Sequence, residues 1–289
     1  MTDAQDQAAT VRRGSVTVAG VRSPVLEAGP ADAREAVVFV HGNPGSGEDW
    51  EPFLADIGRF ARVVAPDMPG FGQADKPADF PYTVEGYAAH LAGVLDELGI
   101  DRAHLVVHDF GGPWGLAWAA LHPAALASAV LVDTGVLPGY RWHYLARIWR
   151  TPGLGEVVNR LTTLPALRLL LRHGNPGGLP EDFVRRMYRD FDPATRAAVL
   201  KLYRSLDDPD GASRVLIAAL QPLDRPALVI WGARDPYIGA DMALRQSEAF
   251  PRAVVHVLPG SGHWPFADDP ESFRALLLPF LERATAGAA

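Results

Sequence analysis

Through the first half of the chain, short apolar runs bounded by turn residues alternate with stretches whose apolar positions recur at helical spacing. Residues 15–26 alternate closely enough to predict two short strands, a hairpin around Gly20. The run A-V-V-F-V within 35–40 predicts a buried central strand, since it is apolar on both faces. A helix over 49–57 and a strand over 62–65 follow. Residues 82–98 carry a helical period that stops at Gly99. A strand over 105–108 leads through Gly111 and Gly112 into a helix over 113–122, with Pro113 in the first turn, where it is tolerated. A strand over 129–132 closes this series. From 136 to 222 the pattern is helical and rich in Arg, Leu, Tyr and Trp. Strands resume over 227–231 and 253–258, and a helix over 268–281 ends the pattern. Residues 1–12 are polar and small, which predicts a disordered tail.

Strand alternating with helix predicts an α/β fold. Several strands end in residues able to do chemistry. Asp109 stands at the apex of the turn V-H-D-F-G-G, where a strand gives way to a helix. A carboxylate next to a buried strand is costly unless something uses it, although capping the following helix would be one ordinary use. The 35–40 strand runs into His41, Gly42, Asn43 and Pro44. Asn43 suits a turn there, and His41 suits a structural role in the loop. Asp235 follows the 227–231 strand in G-A-R-D-P-Y. His263 follows the last strand in P-G-S-G-H-W-P-F. In P-D-M-P-G-F-G-Q-A-D-K-P, Asp67 and Asp75 are expected to bond backbone amides.

The strand, turn and helix around Asp109 resemble the nucleophile elbow of the α/β-hydrolase superfamily, usually G-x-S-x-G. Val107 replaces the first glycine and Asp109 the serine. An aspartate nucleophile resembles the epoxide hydrolase and haloalkane dehalogenase branch. Asp109, Asp235 and His263 fall in that family's nucleophile, acid and base order. The resemblance implies a mostly parallel eight-stranded sheet flanked by helices. It divides the chain into a core of 13–135 and 223–289 and a helical cap of 136–222. It also implies that the backbone N–H groups of Asn43 and Phe110 form an oxyanion hole.

The same resemblance implies a covalent alkyl ester on Asp109, hydrolysed by water that His263 activates with Asp235 behind it. An epoxide leaves as an alkoxide and needs an acid, which the related hydrolases take from cap tyrosines. Tyr203, in L-Y-R-S, matches the second of these, with Tyr140 or Tyr144 as the first. A halide needs donors but no proton. H-G-N-P resembles the dehalogenases, in which the Asn43 side chain would hold the halide, but Phe110 stands where their tryptophan does. Trp142, Trp149 and Trp264 are candidates for the pocket wall, although aromatics at helical spacing are more often core. Asn43 is compatible with either reaction, and Phe110 removes a halide donor. The expected activity is therefore epoxide hydrolysis, with haloalkane dehalogenation as the alternative. A non-catalytic small-molecule receptor and an esterase using Asp109 as a general base remain as other classes.

Composition narrows the partners. A formal net charge of -7 disfavours nucleic acid and anionic membranes. The absence of cysteine removes disulfides, thiolate metal sites and thiol nucleophiles. Among the nine histidines the one H-x-x-x-H spacing, His104 to His108, falls on the strand before Asp109, where residues four apart lie about 13 Å from each other, and no P-loop or G-x-G-x-x-G follows a strand, so neither a metal nor another cofactor is expected. No apolar run is long enough to span a bilayer, and no signal peptide is read at the start, which together suggest a cytoplasmic protein. The expected partners are a small apolar epoxide or haloalkane and water, in a monomer or homodimer.

Overall fold

The computed structural model describes residues 9–287. β1 (Arg12–Val18) and β2 (Val21–Ala28) form the hairpin, turning at Ala19 and Gly20, which both adopt positive φ. β3 (Glu35–Val40) is the buried central strand. A 3-10 turn and α1 (Glu51–Ile57) lead to β4 (Arg62–Pro66). α2 (Val84–Glu97) starts at Thr83, whose hydroxyl accepts from the Gly86 amide at 3.1 Å, as an N-cap should. β5 (Arg102–His108), α3 (Gly111–Leu121) and β6 (Leu126–Val132) follow.

Between β6 and β7 the chain makes α4 (Tyr144–Arg150), α5 (Leu154–Leu161), α6 (Leu164–Gly174), α7 (Glu181–Asp190), α8 (Pro193–Ser205) and α9 (Pro209–Leu220). β7 (Ala227–Gly232), α10 (Asp241–Arg245), β8 (Val254–Leu258), α11 (Pro265–Asp268) and α12 (Pro270–Thr285) complete the fold. No helix among the described residues is long and apolar enough to cross a membrane.

The strands form one eight-stranded sheet in the order β1-β2-β4-β3-β5-β6-β7-β8. β1 and β2 pair antiparallel, as do β2 and β4, and all later pairings are parallel. Parallel neighbours demand crossovers, and helices on both faces bury the central strands. That burial explains why β3, β5 and β6 read as unbroken apolar runs rather than alternating ones. α3 is buried behind β5, with Trp114 stacked on Tyr87 of α2 at 3.9 Å and 17°. Such a pair adds about 1 kcal/mol beyond its buried area.

Several boundaries differ from the sequence pattern. The expected tail of 1–12 ends sooner: Ala9 already donates its amide to the Ala55 carbonyl, and Arg12 opens β1. Residues 1–8 lie outside the described residues. β5, β6 and α12 are also longer than their apolar cores suggest, because the sheet ladder and helix bonds continue past the residues that pack. The two loop aspartates do bond backbone amides. Asp67 accepts from Gly47 and Gln73, each at 2.7 Å, and Asp75 from Arg22 at 2.9 Å.

Candidate active site

The parallel strands deliver their carboxyl ends to one edge of the sheet, and the candidate residues meet there. Asp109 follows β5 directly with φ of +48°, in the left-handed region. That conformation costs an ordinary residue roughly 1–2 kcal/mol, so the surroundings must hold it. They do so by coming very close. A Cβ on Gly42 would lie 2.4 Å from that of Asp109, and one on Gly111 would lie 2.2 Å from the Val40 carbonyl oxygen. The Asp109 carbonyl accepts from the Gly112 amide at 3.0 Å and the Thr134 hydroxyl at 2.5 Å. The carboxyl group is thereby turned out of the sheet edge.

Its two oxygens have different partners. Oδ1 accepts from the Asn43 backbone N–H at 2.7 Å, and Oδ2 lies 3.4 Å from His263 Nε2. His263 Nδ1 lies 2.7 Å from Asp235 Oδ2. Asp235 is itself fixed, since its Oδ1 accepts from the amides of Tyr237 at 2.7 Å and Ile238 at 3.1 Å. Burial alone would push the His263 imidazole down. The Asp235 charge and the hydrogen bond to Asp109 outweigh it and hold His263 well above its ordinary value. Burial likewise works to raise Asp109, but the His263 hydrogen bond and charge bring it below the usual carboxylate value. Both directions favour an imidazolium between two carboxylates.

Two further histidines are neutral props. Burial depresses His108 to about 3, and its Nε2–H donates to the His263 carbonyl at 2.8 Å. His41 Nε2 accepts from the Met68 amide at 2.9 Å, and Nδ1–H faces the Gly42 carbonyl at 2.9 Å. His41 is thus a loop brace, as its sequence position suggests.

The helices between β6 and β7 wall a chamber above Asp109, mostly with apolar side chains such as Leu145, Leu167 and Leu171. The buried Tyr203, on α8, lines it, and its hydroxyl lies 3.4 Å from the Asn43 Nδ2, which donates. Burial and then the Asp109 charge raise the Tyr203 phenol well above its ordinary value, so it keeps its proton. Trp149 and Trp264 also line the chamber, and neither indole N–H has an acceptor. Phe110 packs edge-on against Tyr203 at 4.9 Å. The middle of the helical segment is tied down, because the His263 amide donates to the Gly174 carbonyl at the end of α6, at 3.1 Å.

Three expected residues sit elsewhere. Tyr144 is 46% exposed and packs on His173, so it is not the first cap tyrosine. The Tyr140 hydroxyl donates to the Tyr237 carbonyl at 3.3 Å, which commits its proton to the backbone. Trp142 does not line the main chamber. Its ring packs on Phe110 and Tyr203 beside a smaller pocket, with the Arg150 guanidinium 5.4 Å above it.

A family described as alpha/beta hydrolase fold matches residues 35–270. The chain belongs to the α/β-hydrolase fold family. The protein is 29% identical to a 2-hydroxymuconate semialdehyde hydrolase of Pseudomonas sp. (strain CF600), over 94% of this chain and 95% of that one. Among solved structures, haloalkane dehalogenase DbeA from Bradyrhizobium elkani USDA94 superposes with a TM-score of 0.82 at 25% identity, covering 96% of this chain and 100% of that one. Epoxide hydrolase CorEH superposes with a TM-score of 0.79 at 18% identity, covering 94% and 98%.

This hydrolase carries one chamber residue that the sequence pattern does not single out. His143 lies between Trp142 and Tyr144, and its Nδ1 accepts from the Ala146 amide at 3.2 Å, capping α4. That bond leaves the proton on Nε2. Burial lowers His143 to about 4, so the ring is neutral. Histidine is an unusual N-cap, and its place at the head of the helical run was the available signal. Asp133, at the end of β6, is likewise not singled out by the sequence pattern.

Proposed function

We propose that this hydrolase opens a small apolar epoxide to a diol through a covalent ester on Asp109. The observation that carries the reading is the Tyr203 hydroxyl: a protonated phenol on the wall of the same chamber as an ionised, positioned carboxylate. Residues 136–222 act as the cap that supplies it, and 13–135 with 223–289 act as the core.

Asp109 Oδ2 attacks an epoxide carbon, the carbon–oxygen bond of the ring breaks, and Tyr203 gives its proton to the departing alkoxide. The His143 Nε2–H adds a second hydrogen bond to that oxygen. Ester formation removes the Asp109 charge, so one of the two carboxylates that held the His263 proton is gone. The proton His263 releases replaces the one Tyr203 gave, and His263 becomes a base. It takes a proton from water. The hydroxide adds to the ester carbonyl carbon while charge builds on Oδ1, facing the Asn43 N–H and the Phe110 amide. The carboxylic proton passes to the leaving alcohol, which restores Asp109, His263 and Tyr203.

The chamber wall, among the described residues, includes no Lys or Arg. A muconate semialdehyde carries a carboxylate, so the substrate named in the Pseudomonas relative would enter with no Lys or Arg on the wall to receive it and with the Asp109 carboxylate facing it. An apolar substrate suits these walls better.

Haloalkane dehalogenation is the second reading. The two indole N–H groups without acceptors, on Trp149 and Trp264, together with the Asn43 side chain, are what a leaving halide would use. The test is a turnover screen of styrene-oxide-like epoxides beside bromoalkanes. Diol formation with slow bromide release supports the first reading. Fast bromide release with inert epoxides selects the second.

A further inference from the structure

β6 ends in Asp133, which takes no part in the steps above. It is fully buried and lies in left-handed backbone, with φ of +47°. Its Oδ1 accepts from the Gly232 amide at 2.9 Å, whereas its Oδ2 is buried without a donor. One ligand atom each from Asp133, Asp235 and His263 fall within 4.8 Å of one another. Asp109 adds a third carboxylate at His263 Nε2. Three ionised acids around one imidazolium would leave two uncompensated charges in a site shut off from water.

Two buried carboxyl groups this close do not both ionise. Asp235 accepts three hydrogen bonds, from the amides of Tyr237 and Ile238 and from His263, so both of its oxygens are engaged as acceptors. Asp133 accepts from one amide only. Burial, followed by the charge on Asp235, pushes the Asp133 carboxyl well above the usual carboxylate range. The proton belongs on Asp133.

We propose that Asp133 is a neutral carboxylic acid that donates its Oδ2 proton to Asp235, and thereby positions Asp235 and limits the negative charge behind His263. The proposal rests on His263 being the base of the second step. With Asp133 neutral, only Asp235 holds the His263 proton once Asp109 is esterified, so the base is freed at a lower pH. An ionised Asp133 would keep His263 protonated and stall the ester. The other titrating groups facing His263 are Asp109 and His108 from the β5 turn, Tyr237 after β7, and His143.

Infrared difference spectra of the full-length protein, wild type minus Asp133→Asn, should show a protonated carboxylic C=O band at neutral pH. Absence of that band overturns the proposal whatever the substrate proves to be, so the result stands apart from the epoxide reading. With a turned-over substrate, Asp133→Ala should slow ester hydrolysis about tenfold, the rate equivalent of one lost hydrogen bond. It should also move the acidic limb of that step to higher pH, because Asp235 loses a donor and holds the His263 proton harder. Asp133→Asn supplies an N–H in place of the O–H and should restore both. A limb that moves to lower pH in Asp133→Asn would mean that a negative charge had been removed, and would overturn the proposal.

Discussion

The backbone nitrogen of Asn43 lies 2.7 Å from Asp109 Oδ1, so an oxygen of the proposed nucleophile already occupies the donor that would stabilise the hydrolytic oxyanion. The relationship separates the two oxygens by task. Oδ1 is held by the amide, and in the proposed reaction it stays there as the ester carbonyl. Oδ2 faces His263, and in the proposed reaction it bonds substrate and His263 later delivers water to the same carboxyl carbon. The hole needs no rearrangement between the two steps, which is the condition under which fixed dipoles are most effective.

That division of labour predicts a trapped intermediate. His263→Gln should still form the ester but not hydrolyse it, so turnover should fall by about three orders of magnitude or more. Intact-protein mass spectrometry after mixing with substrate should show a single adduct, on the peptide containing Asp109. An unmodified protein that has lost all turnover would point to general-base chemistry or to simple binding instead.

Tyr203 gives a prediction confined to the first step. Its hydroxyl has one weak partner, the Asn43 amide at 3.4 Å, and its ring packs on Phe110, Trp142 and Trp149. Tyr203→Phe keeps the ring and should cost less than about 1 kcal/mol of stability. Epoxide opening should slow about a hundredfold or more, as expected for a missing general acid. Bromide release, if present, should change far less, because a halide leaves without a proton. Rapid-mixing kinetics with thermal denaturation would check both halves.

Gly111 predicts a stability effect with a geometric cause. An added Cβ would lie 2.2 Å from the Val40 carbonyl and 2.8 Å from that of His41, both backbone atoms that cannot rotate away. Gly111→Ala should therefore destabilise the fold by roughly 2 kcal/mol and disturb the elbow as it relaxes. Gly99→Ala is the contrast: it has open space but a φ of +66°, so it carries backbone strain without a clash near the elbow. Its activity at moderate temperature should persist.

Buried neutral histidines predict how stability responds to acid. His90 Nε2 lies 2.8 Å from the Ser23 hydroxyl, and burial depresses His90 to about 4 from an ordinary 6.5. Between those values the unfolded chain binds a proton that the folded one refuses. Stability is therefore lost as pH falls from about 6.5 towards 4, by on the order of 3 kcal/mol for this residue. Asp67, raised to about 6 by burial, works in the opposite direction over an overlapping range. His90→Gln should flatten the fall in denaturation midpoint between pH 6.5 and 4 relative to wild type. An unchanged slope would show that His90 is not the group responsible.

Much of the site was legible in advance because parallel sheets place strand ends together. The residues after β5, β7 and β8 each carried a side chain out of place in a turn chosen only for its shape, Asp109, Asp235 and His263, and Asn43 after β3 was singled out by the resemblance of H-G-N-P. Residues of the segment between β6 and β7 were harder to place. Tyr140, Tyr144, Trp142 and Trp149 lie within ten residues, and helical spacing makes any of them suitable for an inward face. The structure sends Tyr144 to solvent, gives the Tyr140 proton to a carbonyl, and seats Trp149 at the chamber.

The alternation of apolar runs and helical periods determined the α/β fold and the strand ends that face one edge, because burial and backbone hydrogen bonding act through local spacing. The sequence also determined that an ionised carboxylate, rather than a hydroxyl, stands at the elbow. Only the tertiary structure decided which oxygen of Asp109 meets an amide and which meets His263, that His143 carries its proton on Nε2, and that Asp133 lies against Asp235. Those outcomes depend on distances of a few ångströms between segments more than a hundred residues apart in some cases, and no local pattern encodes such a distance.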